Sequence, residues 1–126
     1  MSYRSKEAAI DAFFNSFDVP AYEASTVPKN ADFPYITYDA PDDSIDHPVL
    51  ITVNVYSYSS SWREAIDLKD KIAKRLTEPG AINTLQFENG RIYLAPGSPF
   101  AQRLDDENEA IKRFYINIMA EYYSYY

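Results

Sequence analysis

Cysteine is absent from the 126 residues of this chain, which has only one histidine and three glycines. Without cysteine there is no disulfide, no thiol nucleophile and no cysteine-based zinc site. The single histidine, His47, follows Asp46, but adjacent side chains rarely point at one place, so we expect a solvated loop residue. The glycines are too few to build a phosphate-binding loop. These absences predict a protein with no catalytic residues, no cofactor and no metal site.

Long apolar runs are also absent, although 46% of the residues are hydrophobic. A membrane-spanning helix needs roughly 20 apolar residues in succession, and the N-terminus does not have the pattern of a signal peptide. The length suits one ordinary domain. We therefore expect a single domain over residues 1–126 that folds in the cytoplasm, with a flexible C-terminal segment at 122–126.

Acidic residues outnumber basic ones, 19 against 12, which gives a net charge of −7. An acidic surface repels phosphate backbones, so sequence-specific binding of nucleic acid is not expected. Acids are dense in two segments, Asp39 to Asp46 and Asp105 to Glu109, which we interpret as exposed loops. The first segment lacks the glycine and the distal glutamate of a calcium-binding loop.

Apolar periodicity divides the chain into helices and strands. Three-and-four spacing predicts a first helix over about 5–17, and a second from a capping box of Ser61 and Glu64 to Leu76. Alternation predicts strands at 33–38, 49–58, 82–88, 91–95 and about 110–123. Asn89-Gly90 is typical of a type I′ hairpin turn, whereas 21–32 and 96–99 are predicted as breaks.

These elements predict an α+β domain in the order α-β-β-α-β-β-β. The sheet is expected to be mostly antiparallel, with about five strands, and the two helices are expected to pack on one face of it.

Tyrosine is the most overrepresented residue, with twelve in the chain. Its apolar ring and polar hydroxyl suit protein interfaces. β-Rich domains also favour tyrosine in strands simply because it packs well there. Composition alone leaves both interpretations open.

Three successive segments resemble the tail completion or tail terminator proteins of long-tailed bacteriophages and prophages, also described as tail-to-head joining proteins. They are the strand FPYITY at 33–38, the strand LITVNVY at 50–56 and the helix that starts near Ser61. The order of elements matches over nearly the whole chain. The motifs are strand and helix patterns, and none of them is a catalytic signature.

The resemblance implies a structural role in the virion. Such proteins form a ring, typically a hexamer, that caps the tail tube and joins it to the head–tail connector, with DNA passing through the lumen and without a cofactor or reaction. Assembly in the host cytoplasm would precede incorporation into the virion. On this basis we expect interface or lumen positions in the acidic segments and at the C-terminus: Asp39, Asp42, Asp43, Asp46, Asp105, Asp106, Glu107, Tyr122, Tyr123, Tyr125 and Tyr126.

Three other functions remain open. The chain could be another neck component, such as a connector stopper or head completion protein. It could also be a non-enzymatic α+β module that binds a ligand or peptide in one deep pocket. A hydrolase built on two carboxylates is the third, because 19 acids always allow some pair to meet in space.

Overall fold

The computed structural model describes residues 3–40, 48–78 and 84–124. Two α-helices, α1 and α2, accompany six strands, β1 to β6, in the chain order α-β-β-β-α-β-β-β. Their bounds are α1 Lys6–Phe14, β1 Ala21–Glu23, β2 Tyr35–Asp39, β3 Val49–Tyr58, α2 Arg63–Thr77, β4 Thr84–Phe87, β5 Gly90–Leu104 and β6 Ile111–Ser124. Neither helix is long and apolar enough to cross a membrane, as far as the described ranges go.

The predicted α+β class with two helices is confirmed, but the sheet differs from the prediction. It is a six-stranded mixed sheet in the order β1-β2-β3-β6-β5-β4, in which β1 and β2 run parallel and the other neighbours run antiparallel. The added strand is β1, inside the segment 21–32 that we expected to be a loop. Three residues are too few for an alternation signal, and pairing with β2 defines this strand.

One face of the sheet forms the hydrophobic core. Every second residue of β3 and β6 points to it, so that Ile51 lies opposite Ile118 and Val53 opposite Ile116, all fully buried. Both helices cover this same face. The ring of Phe14 in α1 stacks on Tyr38 of β2 at 4.9 Å between centroids, and Lys69 in α2 lies over the ring of Phe114 in β6. The predicted packing of both helices on one face is therefore present.

The first helix follows its sequence signals closely. Ser5 is the N-cap, and its hydroxyl accepts a hydrogen bond from the amide of Ala8 at 3.1 Å. A 3₁₀ turn at Asn15–Phe17 extends the helix to the predicted end, where Asp18 adopts the left-handed conformation with φ 66°.

The second helix begins differently from the prediction. Trp62 is the N-cap, without a capping side chain, and α2 starts at Arg63. The hydroxyl of Ser61 accepts a hydrogen bond from the amide of Arg63, but Glu64 does not reach back to Ser61. Its carboxylate instead accepts a hydrogen bond from the hydroxyl of Ser57 at 2.6 Å. Ser57 is fully buried on the core face, so its hydroxyl needs a partner more than the helix start does.

The predicted break at 96–99 is also wrong, because β5 runs through it. The pairing of β5 with β6 shifts register between Pro96 and Ala101, and this irregularity accommodates two prolines that cannot donate to a ladder. β5 is consequently 15 residues long and reaches Leu104.

The hairpin between β4 and β5 is present, but its turn lies one residue earlier than predicted. Phe87 pairs with Gly90, so Glu88 and Asn89 form the turn, and neither has a positive φ. A type I′ turn is therefore excluded. Glycine is required at position 90 for a different reason: a Cβ there would lie 2.1 Å from the carbonyl oxygen of Tyr123.

Candidate functional site

The second face of the sheet carries neither helix. We call it the open face and define it by the strand residues that alternate with the core positions. All the large hydrophobic side chains that are exposed in the described ranges lie on it or at its border: Phe33, Leu50, Tyr58, Tyr93, Met119 and Tyr123. Because a monomeric protein rarely gathers its exposed apolar residues on one side, this face is the main candidate for a functional surface.

Its composition is that of a protein interface. Seven tyrosines of the described residues lie there: Tyr22, Tyr35, Tyr56, Tyr58, Tyr93, Tyr115 and Tyr123. The centre of the face is polar but uncharged, with Thr52, Asn54 and Asn117 side by side in β3 and β6. None of the six lysines lies on it. Interface cores are similarly enriched in tyrosine and depleted of lysine.

Aromatic rings form a continuous cluster at one end of the open face. Tyr35 stacks on Tyr56 with centroids 4.8 Å apart and meets Tyr22 edge to face at 6.1 Å. Phe33 connects Tyr35 to Tyr58, at 5.2 and 5.6 Å. Burial raises the pKa of Tyr35, and Tyr56 and Asp106 raise it further. The aromatic cluster is thus an uncharged platform whose rings are already in contact.

Arg113 borders this aromatic cluster. Its guanidinium lies 5.7 Å from the centroid of the Tyr56 ring, and its Nε donates a hydrogen bond to the side-chain oxygen of Asn54 at 2.9 Å. These two contacts hold the side chain against the open face. No ion pair of Arg113 occurs within the described part of the chain.

A second apolar cluster occupies the opposite end of the open face. Leu50 lies opposite Met119, and they are 46% and 37% exposed. Tyr93 and Tyr123 meet edge to face at 5.5 Å. The Tyr123 hydroxyl donates a hydrogen bond to Glu121 at 2.7 Å, and this bond raises the pKa of Tyr123. The negative charge at this end is therefore fixed in position.

Local groups occupy part of each edge of the sheet. Along β1, the side chain of Asn15 accepts a hydrogen bond from the amide of Ala21 at 3.0 Å and donates one to its carbonyl at 3.3 Å. Along β4, the backbone of Tyr3 bonds to Gln86 and Glu88 at 3.0 and 2.7 Å. Exposed edges are templates for unwanted pairing, and here local groups occupy part of them. β5 pairs with β4 only from Gly90 to Tyr93, and within the described residues its continuation to Leu104 has no strand on that side.

The acidic positions predicted from the sequence are spread over both ends of the sheet. Asp39 ends β2 and is exposed. The loop between β5 and β6 contains Asp105, Asp106 and Glu107. It lies near the aromatic cluster, since the charge of Asp106 contributes to the raised pKa of Tyr35. These two groups of acids do not form one site. Asp42, Asp43 and Asp46, as well as His47, lie outside the described residues.

The C-terminal tyrosines divide into two kinds. β6 continues to Ser124, so residues 122–124 belong to a strand, and the flexibility predicted for 122–126 stays a prediction. The ring of Tyr122 is buried in the core, whereas Tyr123 is exposed on the open face. Tyr125 and Tyr126 lie outside the described residues.

A cleft lies on the other side of the molecule, between α1 and β2. It measures about 620 Å³ and contains Asp11, Glu23 and the hydroxyl of Tyr38. This hydroxyl donates to Asp11 at 2.8 Å. Burial and that hydrogen bond raise the pKa of Tyr38. No three acidic or histidine side chains come close enough to hold a metal ion in the part of the chain that the structure describes. Acidic and hydroxyl side chains line this cleft, so it is a second candidate for a ligand site beside the open face.

Sequence reasoning pointed to acidic loops and missed most of the open face. A signal was available in β3, where the outward positions of the alternation are Leu50, Tyr56 and Tyr58 instead of charged residues. No protein-family model matches this chain, and no curated protein matches it in sequence.

Proposed function

We propose that this chain is a structural virion protein of a long-tailed bacteriophage or prophage. It would cap the tail tube as a ring and join the tail to the head–tail connector, without enzymatic activity or a cofactor. Its partners would be further copies of itself, the tail tube protein and the connector protein. It would assemble in the host cytoplasm and remain in the neck of the virion.

The observation that supports this proposal best is the open face. A binding protein without catalytic groups needs a large preformed surface, and tyrosines on a rigid sheet supply contact area at a low cost in side-chain entropy. The rings of the aromatic cluster already touch one another, so docking would order few side chains. The strand and helix patterns that resemble tail completion proteins are the elements that build this sheet and its cover.

The exposed acids fit the same role. Asp105 and Glu107 extend from one end of the sheet into solvent. In a ring, such a loop at the lumen would repel the phosphate backbone and let DNA pass without sticking. The net charge of −7 favours this over a DNA-binding role.

A binding assay with purified tail tubes tests the proposal. Tail tubes are prepared from a long-tailed phage or prophage without their own terminal protein and are mixed with the chain. The mixture is sedimented, and the tube ends are imaged by electron microscopy. Co-sedimentation with ring-shaped density at one tube end is the expected result. A chain that stays in the supernatant, or coats tubes along their length, would remove the tail-capping role.

A parallel sedimentation assay with purified heads distinguishes a tail cap from a connector stopper or a head completion protein. A connector stopper or head completion protein would bind DNA-filled heads and leave tail tubes free. Sedimentation with purified heads therefore separates these alternatives, since a tail cap should bind heads only after tubes are present.

A further inference from the structure

We propose that the start of α2, together with the end of β5 and the start of β6 beside it, binds a short acidic segment of a partner protein. The site consists of the Trp62 ring and three cationic side chains near it, Lys69, Arg103 and Lys112, and we call it the basic cluster. It lies on the helix side of the sheet. It therefore does not rest on the proposed function, and it leaves the open face accessible.

The strand register places the basic cluster on the helix side. Arg103 lies opposite Phe114, and Lys112 lies opposite Ser57. Paired residues of neighbouring strands project to the same face, and both Phe114 and Ser57 are buried on the core face. Arg103 and Lys112 therefore extend from that face, and both reach the ring of Trp62, the N-cap of α2.

Two aromatic rings gather the three positive charges. Trp62 meets Phe114 edge to face, with 5.4 Å between the ring centroids. The guanidinium carbon of Arg103 lies 4.7 Å from the centroid of the Trp62 ring, and the Nζ of Lys112 lies 5.8 Å from it. The Nζ of Lys69 lies 5.6 Å from the centroid of Phe114. The attraction between each cation and a ring holds the positive charges close to one another.

Two of these three charges have no carboxylate partner. Asp70 pairs with Lys69 at 2.6 Å, whereas neither Arg103 nor Lys112 forms an ion pair within the ranges that the structure describes. Lys112 donates a hydrogen bond to the backbone carbonyl of Glu109, which is an uncharged acceptor. Arg103 is exposed, and a guanidinium that stacks on a ring keeps its N–H donors in its own plane for a carboxylate. The basic cluster can therefore accept an anionic group from a partner.

The acidic loop between β5 and β6 limits the length of that anion. A cleft of about 510 Å³ is lined by Trp62 and Lys112 and also by acids of this loop, including Asp105 and Glu107. A nucleic acid carries a charge at every phosphate, and its chain would meet these acids as well as the cations. A protein segment with two or three carboxylates can contact the cations alone. The basic cluster therefore suits a short acidic protein segment better than a nucleic acid.

Trp62 provides the measurement, because it is the only tryptophan of the chain and its fluorescence reports on this site. A hexaglutamate peptide with blocked termini is titrated into the full chain at low salt, where charge interactions are screened least. We expect a saturable change in the Trp62 emission with a Kd below about 1 mM. Isothermal titration calorimetry measures the same affinity without depending on Trp62.

Substitutions in the basic cluster test which residues bind the peptide. Arg103→Gln and Lys112→Gln should each weaken the peptide affinity about tenfold, because each removes a charge-assisted contact. Arg75→Gln is the matched control. Arg75 lies 4.7 Å from the centroid of Phe17 near the other end of α2, so this variant removes a cation and a ring contact away from the site. It should bind the peptide as the wild type does. Circular dichroism shows whether each variant is folded.

A single-stranded oligothymidylate with the same charge as the peptide is the competing ligand. It should bind more weakly than hexaglutamate, and equal or tighter binding would overturn the choice of an acidic protein segment. The site would be overturned by a wild-type chain that does not bind hexaglutamate at about 10 mM. A folded Arg103→Gln or Lys112→Gln chain that binds normally, or an equal loss in Arg75→Gln, would overturn it too. None of these outcomes involves tail tubes, so each leaves the proposed function unaffected.

Discussion

The two faces of the sheet are built from the same strands, yet they have different physical tasks. In β6, Phe114, Ile116 and Ile118 point under the helices and are buried, whereas Tyr115 and Met119 point away from the helices. Burial of the first set removes apolar surface from water and stabilises the fold. The second set leaves a tyrosine-rich surface accessible to a partner. Stability and binding can therefore be altered separately by substitutions one residue apart.

The largest difference between the faces should appear in a pair of truncations in β6. Ile116→Ala should lower the free energy of unfolding by about 2–5 kcal/mol, because Ile116 is fully buried and its removal leaves a cavity. Met119→Ala, on the open face at 37% exposure, should cost less than about 1 kcal/mol. Urea unfolding followed by circular dichroism measures both. Equal losses would show that the open face is packed as tightly as the core.

A smaller effect is expected at the edge of the sheet. Asn15→Ala removes both hydrogen bonds to the backbone of Ala21, and each buried backbone group left unpaired costs about 1 kcal/mol or more. We expect a loss of about 1–2 kcal/mol in urea unfolding, together with a greater tendency to aggregate because the β1 edge becomes available.

Asn15→Asp is the matched control for this edge. The carboxylate keeps the acceptor for the amide of Ala21 and loses only the donor to its carbonyl. Its stability should lie between those of the wild type and Asn15→Ala. If Asn15→Ala proves neutral in both stability and light scattering, then Asn15 does not close the edge.

Sequence patterns gave the elements that are long enough to show a period. The limits of β3 at 49–58 and the end of the first helical segment at Phe17 are as predicted. β1 was missed because three residues show no alternation and depend on a neighbouring strand. β5 was cut short because local proline signals could not reveal the register shift that accommodates them.

The site was harder to predict than the fold. Clusters of acidic residues can be identified in a sequence. Which face of a sheet the helices cover depends on tertiary packing and cannot be identified in this way. Ser57 illustrates the difficulty: it appears in a polar run, yet it is buried and takes the Glu64 carboxylate that local reasoning assigned to a cap. Tyr122 was expected in a tail, although the alternation of β6 places its ring in the core.

The smallest effect is expected from pH, and it concerns a tyrosine on the covered face. The folded state raises the pKa of Tyr38, through burial and its bond to Asp11. The stabilisation is complete below the ordinary tyrosine pKa of about 10 and is lost as pH rises through the higher folded pKa. Tyr38→Phe should lose about 1 kcal/mol at neutral pH.

The stabilities of the wild type and of Tyr38→Phe should depend differently on pH in the alkaline range. Above pH 10 the wild type should lose stability with increasing pH more steeply than Tyr38→Phe, so the difference between them should shrink. Unfolding by urea at pH 7 and at two values above 10 provides the comparison. A difference that stays constant with pH would mean that Tyr38 ionises equally in the folded and unfolded states.

The central claim is that the open face, and not the helix side, is the surface that docks on tail tubes. Hydroxyl-radical footprinting of the chain alone and on tail tubes, with each oxidised residue identified by mass spectrometry, tests this most directly. The free chain is measured at a concentration at which ultracentrifugation shows a monomer. The account predicts that Tyr58, Met119 and Tyr123 become protected on tubes, while Trp62 at the start of α2 keeps its reactivity. Protection of Trp62 with unchanged labelling of the three open-face residues would contradict it.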